Sequence, residues 1–298
     1  LHSIIVSLAT QKKYSGKEYA LNTNSDIYWY DILSGTTSNI TKDFSGYDLN
    51  PAVSPDGSKV AWLNMSAPGY ESDQRELKLF ETKTGKVKMV SGNFDQDISS
   101  ICWGSDNKSI YFIASISGTQ QIFKVDLVST VFDKINVPGI NILQLTSGNI
   151  DITEICRSGD DMVAGVMSMS SPLELYTVSP KSGNLNQLTS INDSIWSGIK
   201  TGQVVKKMIN TTDGKEMLVW VILPPDFNPE QKYPCLLYCQ GDPQSQVSQF
   251  FSYRWNFQLM AANGYVVVAP NRRGLPGFGA EWNNEISGDW GGQAMKDY

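Results

Sequence analysis

The chain has 298 residues, 41% hydrophobic and 18% charged, which suits about two domains of roughly 100–200 residues each and excludes a disordered polypeptide. Its formal net charge of −6 argues against a general nucleic-acid binder, which presents a basic surface. No run approaches the ~18 apolar residues of a membrane span. The apolar start Leu1–Leu8 is short and lacks both an initiator Met and the basic flank of a signal peptide. The compartment stays open between periplasm and cytoplasm, and the oligomeric state is not legible. Four cysteines, Cys102, Cys156, Cys235 and Cys239, are too sparse for a disulfide framework and lack metal-ligand spacing, so all four are expected as buried thiols. Neither a metal nor a cofactor is expected.

In chain order, the first two hundred residues repeat. The segments Ile27–Gly35, Leu77–Gly85, Ile122–Thr130 and Leu175–Gly183 begin 50, 45 and 53 residues apart. Each alternates apolar and polar positions and then enters Ser/Thr/Lys/Gly turn chemistry, the mark of a strand with one buried face. Between them, Asn50–Leu63 (NPAVSPDGSKVAWL) carries a tight turn at Pro55-Asp56-Gly57. Ser100–Ile113 (SICWGSDNKSIYFI) and Glu154–Val166 (EICRSGDDMVAGV) repeat that layout. A period of ~40–50 residues with several strands per unit predicts β-propeller blades. About four fit before Ile199, the low limit of the usual 4–8, so further blades upstream of Leu1 are expected. The plainer alternative is an irregular β-sandwich. The SPDG box resembles the TolB-type repeat.

Near Lys200 the pattern changes. Val204–Met208 and Met217–Leu223 read as strands joined by a hairpin at Asp213-Gly214. Cys235–Cys239 (CLLYC) is a continuous apolar run suited to a central strand. Tyr253–Asn263 has helical spacing, with Trp255, Leu259 and Ala262 on one face and Gly264 at the stop. Tyr265–Ala269 (YVVVA) is a second buried strand, completing a βαβ unit. Hairpin strands followed by βαβ open an α/β-hydrolase domain, in which the loop after the third strand supplies an oxyanion-hole donor. Here that loop is Gln240-Gly241-Asp242-Pro243. The expected organisation is a partial β-propeller over 1–199, followed by the N-terminal part of an α/β-hydrolase domain over 200–298.

The stretches LPPDFNPEQKYPCLLYCQGDPQSQ (223–246), YVVVAPNRRGLPGFG (265–279) and GDWGGQAMKDY (288–298) resemble the prolyl oligopeptidase family of serine peptidases. The likeness is nearest to its acylaminoacyl-peptidase and dipeptidyl-peptidase-five-like branch, and a propeller before a hydrolase opening is that family's domain order. The resemblance implies Ser-His-Asp acyl-enzyme hydrolysis of short peptides, with the propeller as a size filter. It places Gln240, Gly241 and Asp242 at the oxyanion position. Many relatives carry His or Tyr followed by Gly-Gly-Pro or Ala-Gly-Pro there, so Gln240 departs from the pattern and Asp242 stands where Gly is usual. Arg272 and Arg273 follow the second strand near the edge where open α/β sheets place ligands. They are candidates to orient substrate or brace loops, or else to pair with acids across the domain interface.

No G-x-S-x-G elbow occurs, and the one histidine is His2, so nothing plausible reaches a nucleophile within ~3 Å as a base must. The sequence therefore reads as an internal fragment that stops short of the catalytic serine and does not hydrolyse peptides by itself. The competing reading is a non-catalytic propeller-based binding or scaffold protein.

Overall fold

The computed structural model describes residues 3–9, 16–70, 72–127, 141–241 and 245–298. The chain divides into two compact units. One comprises Leu1–Ala114, Phe123–Gln144 and Arg157–Asp160; the other comprises Ser115–Ile122, Leu145–Cys156 and Asp161–Tyr298.

In the first unit, β1 (Ser3–Ala9), β2 (Ser25–Asp31) and β3 (Thr37–Asn39) form an antiparallel sheet. A four-stranded meander follows: β4 (Asp48–Val53), β5 (Lys59–Asn64), β6 (Glu76–Glu81) and β7 (Val87–Met89). Next, β8 (Ile98–Trp103) pairs antiparallel with β9 (Ser109–Ile116). The second half of β10 (Thr119–Asp126) pairs with β11 (Ile142–Gln144). β12 (Asp151–Ser158), in the second unit as far as Cys156, precedes an antiparallel set of β13 (Asp161–Ser168), β14 (Ser171–Val178) and β15 (Leu185–Gln187) in the second unit.

The sequence repeat recurs in the hydrogen bonds. Gly35, Gly85 and Gly183 donate their N–H to Asp31, Glu81 and Ser179 at 2.9, 2.9 and 2.8 Å, closing the same turn three times. The end of the remaining segment, residues 128–130, lies outside the described residues. In the SPDG turn Gly57 has φ +72°, and Asn107 holds the matching place at φ +55°. Asparagine tolerates this left-handed region better than most residues. Asp56 accepts from the Ser54 hydroxyl and from the Ser58 N–H and hydroxyl, which hold its carboxyl down to about 2. The turns are also tied in sequence, Asp56 N–H to Asn107 Oδ1 at 2.9 Å and Ser105 Oγ to Asp160 Oδ1 at 2.6 Å.

A fourfold latch was not visible in the alternation. The N–H groups of Ile27, Leu77, Ile122 and Leu175 donate to the hydroxyls of Thr41, Ser91, Thr146 and Thr189, at 2.9, 3.2, 2.8 and 2.9 Å. The carbonyls of the same four residues accept from Ile40, Val90, Leu145 and Leu188 at 3.0, 2.8, 2.8 and 2.8 Å. Each repeat thus satisfies both backbone groups of one strand residue from its return segment; Ile27, Leu77 and Ile122 are buried, where an unpaired group would be costly, and Leu175 is exposed.

The rest of the second unit holds a short helix α1 (Asp193–Trp196) and a sheet in the order β16 (Val204–Asn210), β17 (Glu216–Ile222), β19 (Val266–Pro270), β18 (Cys235–Leu237). The β16–β17 hairpin turns at Gly214, φ +85°. β18 and β19 are parallel and joined through α2 (Phe257–Ala262), as the βαβ reading requires. Trp220, Ile222, Val247, Phe257, Val267 and Ala269 share one core. Two short helices follow, α3 (Ala280–Asn284) and α4 (Gln293–Lys296). No helix among the described residues is long and apolar enough to cross a membrane.

Two expectations are corrected. Among the described residues β18 pairs with β19 alone, with Cys235, Leu236 and Leu237 exposed. The cysteines are not buried thiols among the described residues: Cys156, Cys235 and Cys239 are exposed and Cys102 is half-buried, with Cys235 opening β18 and Cys239 just after it. The helix begins at Phe257, where the Asn256 side chain accepts from Leu259 N–H at 2.9 Å. Its Trp255, Leu259 and Ala262 positions are exposed, and Phe257, Gln258 and Ala261 are buried instead.

Replacing Thr146 by Val keeps the shape but leaves the Ile122 N–H without its acceptor. The expected loss is about 1–3 kcal/mol in urea unfolding, with Thr146→Ser near native.

Candidate active site

β19 ends at Pro270, and the next three side chains each hold a different part of the second unit. Asn271, fully buried, accepts the Val247 N–H at 2.8 Å through Oδ1 and donates Nδ2 to the Val247 carbonyl at 3.0 Å. That carbonyl also accepts Trp220 Nε1 at 3.0 Å. An extended segment is thereby treated as a strand by one amide side chain. Its neighbours are held as firmly: Gln246 Nε2 donates to the Thr119 carbonyl at 2.8 Å, and Ser248 Oγ donates to Asp151 Oδ2 at 2.5 Å. Burial pushes the Asp151 carboxyl up to about 6, against the hydrogen bonds from Ser248, Gln249 and Gln120 that favour its charge.

Arg272 reaches the candidate oxyanion loop. Its Nη2 donates to the Gln240 carbonyl at 3.2 Å, Nε to the Tyr298 hydroxyl at 3.0 Å and Nη1 to the Arg273 carbonyl at 2.7 Å. The Tyr298 hydroxyl in turn donates to the Gln240 carbonyl at 3.2 Å. Gln240 is half-buried, and its Oε1 is buried without a hydrogen-bond partner among the described residues. Gly241 is exposed, with open space where a Cβ would stand. Asp242 lies outside the described residues, as does His2.

Arg273 turns to carboxylates. Nε and Nη2 donate to Asp297 at 2.8 and 3.1 Å, Nη1 and Nη2 to Asp213 at 3.0 and 2.9 Å, and Nη1 to Glu285 at 2.8 Å. Its guanidinium also lies 5.2 Å from the Trp282 ring centroid. All three acids belong to the same compact unit as Arg273, so the pairing is not one across a domain interface. Asp213, in the β16–β17 turn, is held down to about 2 by hydrogen bonds from Arg273 and Thr211.

Of the sequence candidates, Gln240 and Arg272 are brought into contact, while Arg273 is a structural hub. Asn271, Tyr298, Asp213, Asp297 and Asp151 were missed as members of these networks. Asn271 and Tyr298 stood inside the quoted motifs YVVVAPNRRGLPGFG and GDWGGQAMKDY. The partnership of residues 213 and 273, by contrast, had no local signal.

Residues 251–298 match the model of the prolyl oligopeptidase family. Over 293 residues the chain is 44% identical to the dipeptidyl-peptidase 5 of Porphyromonas gingivalis and 42% identical to that of Porphyromonas endodontalis. Each match covers 98% of this chain and 41% of the relative. The fold is similar to that of the acylaminoacyl peptidase of Pyrococcus horikoshii, with a TM-score of 0.77 at 20% identity over 99% of this chain and 42% of that one. Residues 251–298 thus carry the prolyl oligopeptidase family's pattern, and relatives named dipeptidyl-peptidase 5 align with nearly the whole chain. The chain spans 41% of the length of the two Porphyromonas relatives.

Arg273→Met strands the buried Asp297 carboxylate, a loss expected at roughly 3–5 kcal/mol in chemical unfolding, and Arg273→Lys restores only part because an ammonium lacks the fork. The depressed Asp213 contributes stability above its ordinary 3.8 that is lost as pH falls toward about 2. Native and Asp213→Asn acid-unfolding curves should therefore differ above pH 4 and draw together toward pH 2.

Proposed function

We propose that these residues form part of a serine peptidase that releases dipeptides from short peptides, and that they supply loop support rather than the reacting groups. In this reading residues 1–199 are blades of a β-propeller that limits substrate size. Residues 200–298 open an α/β-hydrolase domain, with the Gln240 loop on the oxyanion side of the site. The observation that carries it is the double hold on the Gln240 carbonyl by Arg272 and Tyr298. A loop that must aim donors at a developing charge gains from being fixed before the reaction. The dipeptide specificity rests on the 44% identity to a dipeptidyl-peptidase 5. No G-x-S-x-G is present and the one histidine is His2, so these 298 residues alone are inactive in this reading. The same observation also favours the non-catalytic binding alternative.

The full-length protein, assayed on chromogenic dipeptidyl and acylaminoacyl substrates, separates the two readings. Turnover of the dipeptidyl substrate supports the proposal, and absence of turnover on both supports a binding role. In the active protein Gln240→Ala should lower kcat by roughly 10- to 100-fold with KM changed less than about twofold. Unchanged kcat removes the Gln240 side chain from the mechanism.

A further inference from the structure

The two adjacent arginines differ in one respect that burial makes consequential. Arg273 faces three carboxylates. Arg272 is only 7% exposed, yet among the described residues it forms no ion pair. Its partners are two backbone carbonyls and a phenol, and its guanidinium lies 5.7 Å from the Tyr298 ring centroid. Such partners solvate a charge without cancelling it. Burying an uncancelled cation is costly, and a guanidinium has five N–H donors, of which these bonds occupy three. Tyr298 fixes the geometry: its hydroxyl accepts from Arg272 and donates to Gln240, so the cation, the phenol and the loop carbonyl close a triangle. Burial raises the phenol above its ordinary value of 10.0, which keeps it protonated and donating at neutral pH.

We propose that Arg272 and Tyr298 form an electropositive brace whose charge, facing no carboxylate among the described residues, stabilises negative charge developing on an oxygen bound at the Gln240 loop. Tyr298 is a positioning residue acting through Arg272. The assignment rests on the reading of this loop as the oxyanion side of a peptidase site, and it adds a source of charge beyond the loop's own N–H groups. A fixed cation in a site of low dielectric acts on the transition state more than on a neutral substrate.

The test has two arms in the full-length protein. For the first, Cys239 is the reporter. It is exposed and directly precedes Gln240. With Cys102→Ala, Cys156→Ser and Cys235→Ser in place, together with replacement of any further cysteines, Cys239 is labelled by dianionic DTNB and by neutral dithiodipyridine. Arg272→Met should lower the anionic-to-neutral rate ratio by about threefold or more, and Arg272→Lys should hold it within about twofold of native. The difference should shrink in high salt, as screening requires. A ratio that Arg272→Met leaves unchanged overturns the proposal. So does a ratio that only Asp242→Asn raises, since the charge would then be cancelled already.

In the second arm, Tyr298→Phe keeps the ring and removes the oxygen. It should lower kcat by about tenfold with KM within about twofold and the thermal midpoint near native. Native kcat, or an effect confined to KM on substrates bearing a free carboxylate, overturns the transition-state role. Because labelling reads the charge whether or not the protein hydrolyses peptides, failure of the brace and failure of the peptidase reading are distinguishable. Tyr298→Phe also serves where Arg272→Met fails to fold.

Discussion

A buried hydrogen-bonding group left without a partner costs about 1–3 kcal/mol, and a buried charge more, and the second unit is organised around meeting that demand at one place. Asn271, Arg272 and Arg273 leave the end of β19 in succession and send their side chains to three separate partners: the Val247 backbone, the Gln240 carbonyl with Tyr298, and the acids Asp213, Glu285 and Asp297. A strand end is well suited to this. Its backbone is fixed by the sheet, so side chains leaving it start from a rigid base and lose little further entropy when they bind. The loop between β18 and α2 is held at Gln240 on one flank and at Gln246–Ser248 on the other, both by groups of this tract or by residues of the same unit.

The two arginines show why neighbouring identical residues are not equivalent. Arg273 sits among three carboxylates that fix its charge in place, a role of stability. Arg272 has carbonyl and phenol partners and no carboxylate among the described residues. This division follows from what each guanidinium meets: carboxylates at Arg273, and carbonyls with a phenol at Arg272.

The first unit and the early part of the second solve a different problem by repetition. Each repeat must return its chain to one of its own earlier strands. The four hydroxyl latches at Thr41, Ser91, Thr146 and Thr189 do this with one side chain each. A hydroxyl both donates and accepts, so Thr146 takes the Ile122 N–H and also gives its own proton to Gln121 Oε1 at 2.8 Å. The same chemistry at every repeat means that the repeats differ in length and insertions but not in how the return segment is tied.

Local pattern was enough to place most of these elements. Period-two alternation located β2, β6, β10 and β14, the Pro-Asp-Gly box located the turn between β4 and β5, and the apolar runs located β18 and β19, since each of these signals comes from residues close in sequence. The motifs also pointed to Gln240 and to both arginines. What local pattern could not decide was which face of α2 is buried, what β18 pairs with, and which arginine is neutralised. Those outcomes depend on partners 24 residues away at Asp297 and 60 away at Asp213, and on whether another strand pairs with Cys235–Leu237. Alternation reports that a residue has a buried side; only the folded chain determines what that side meets, because burial and charge compensation are properties of contacts between distant segments.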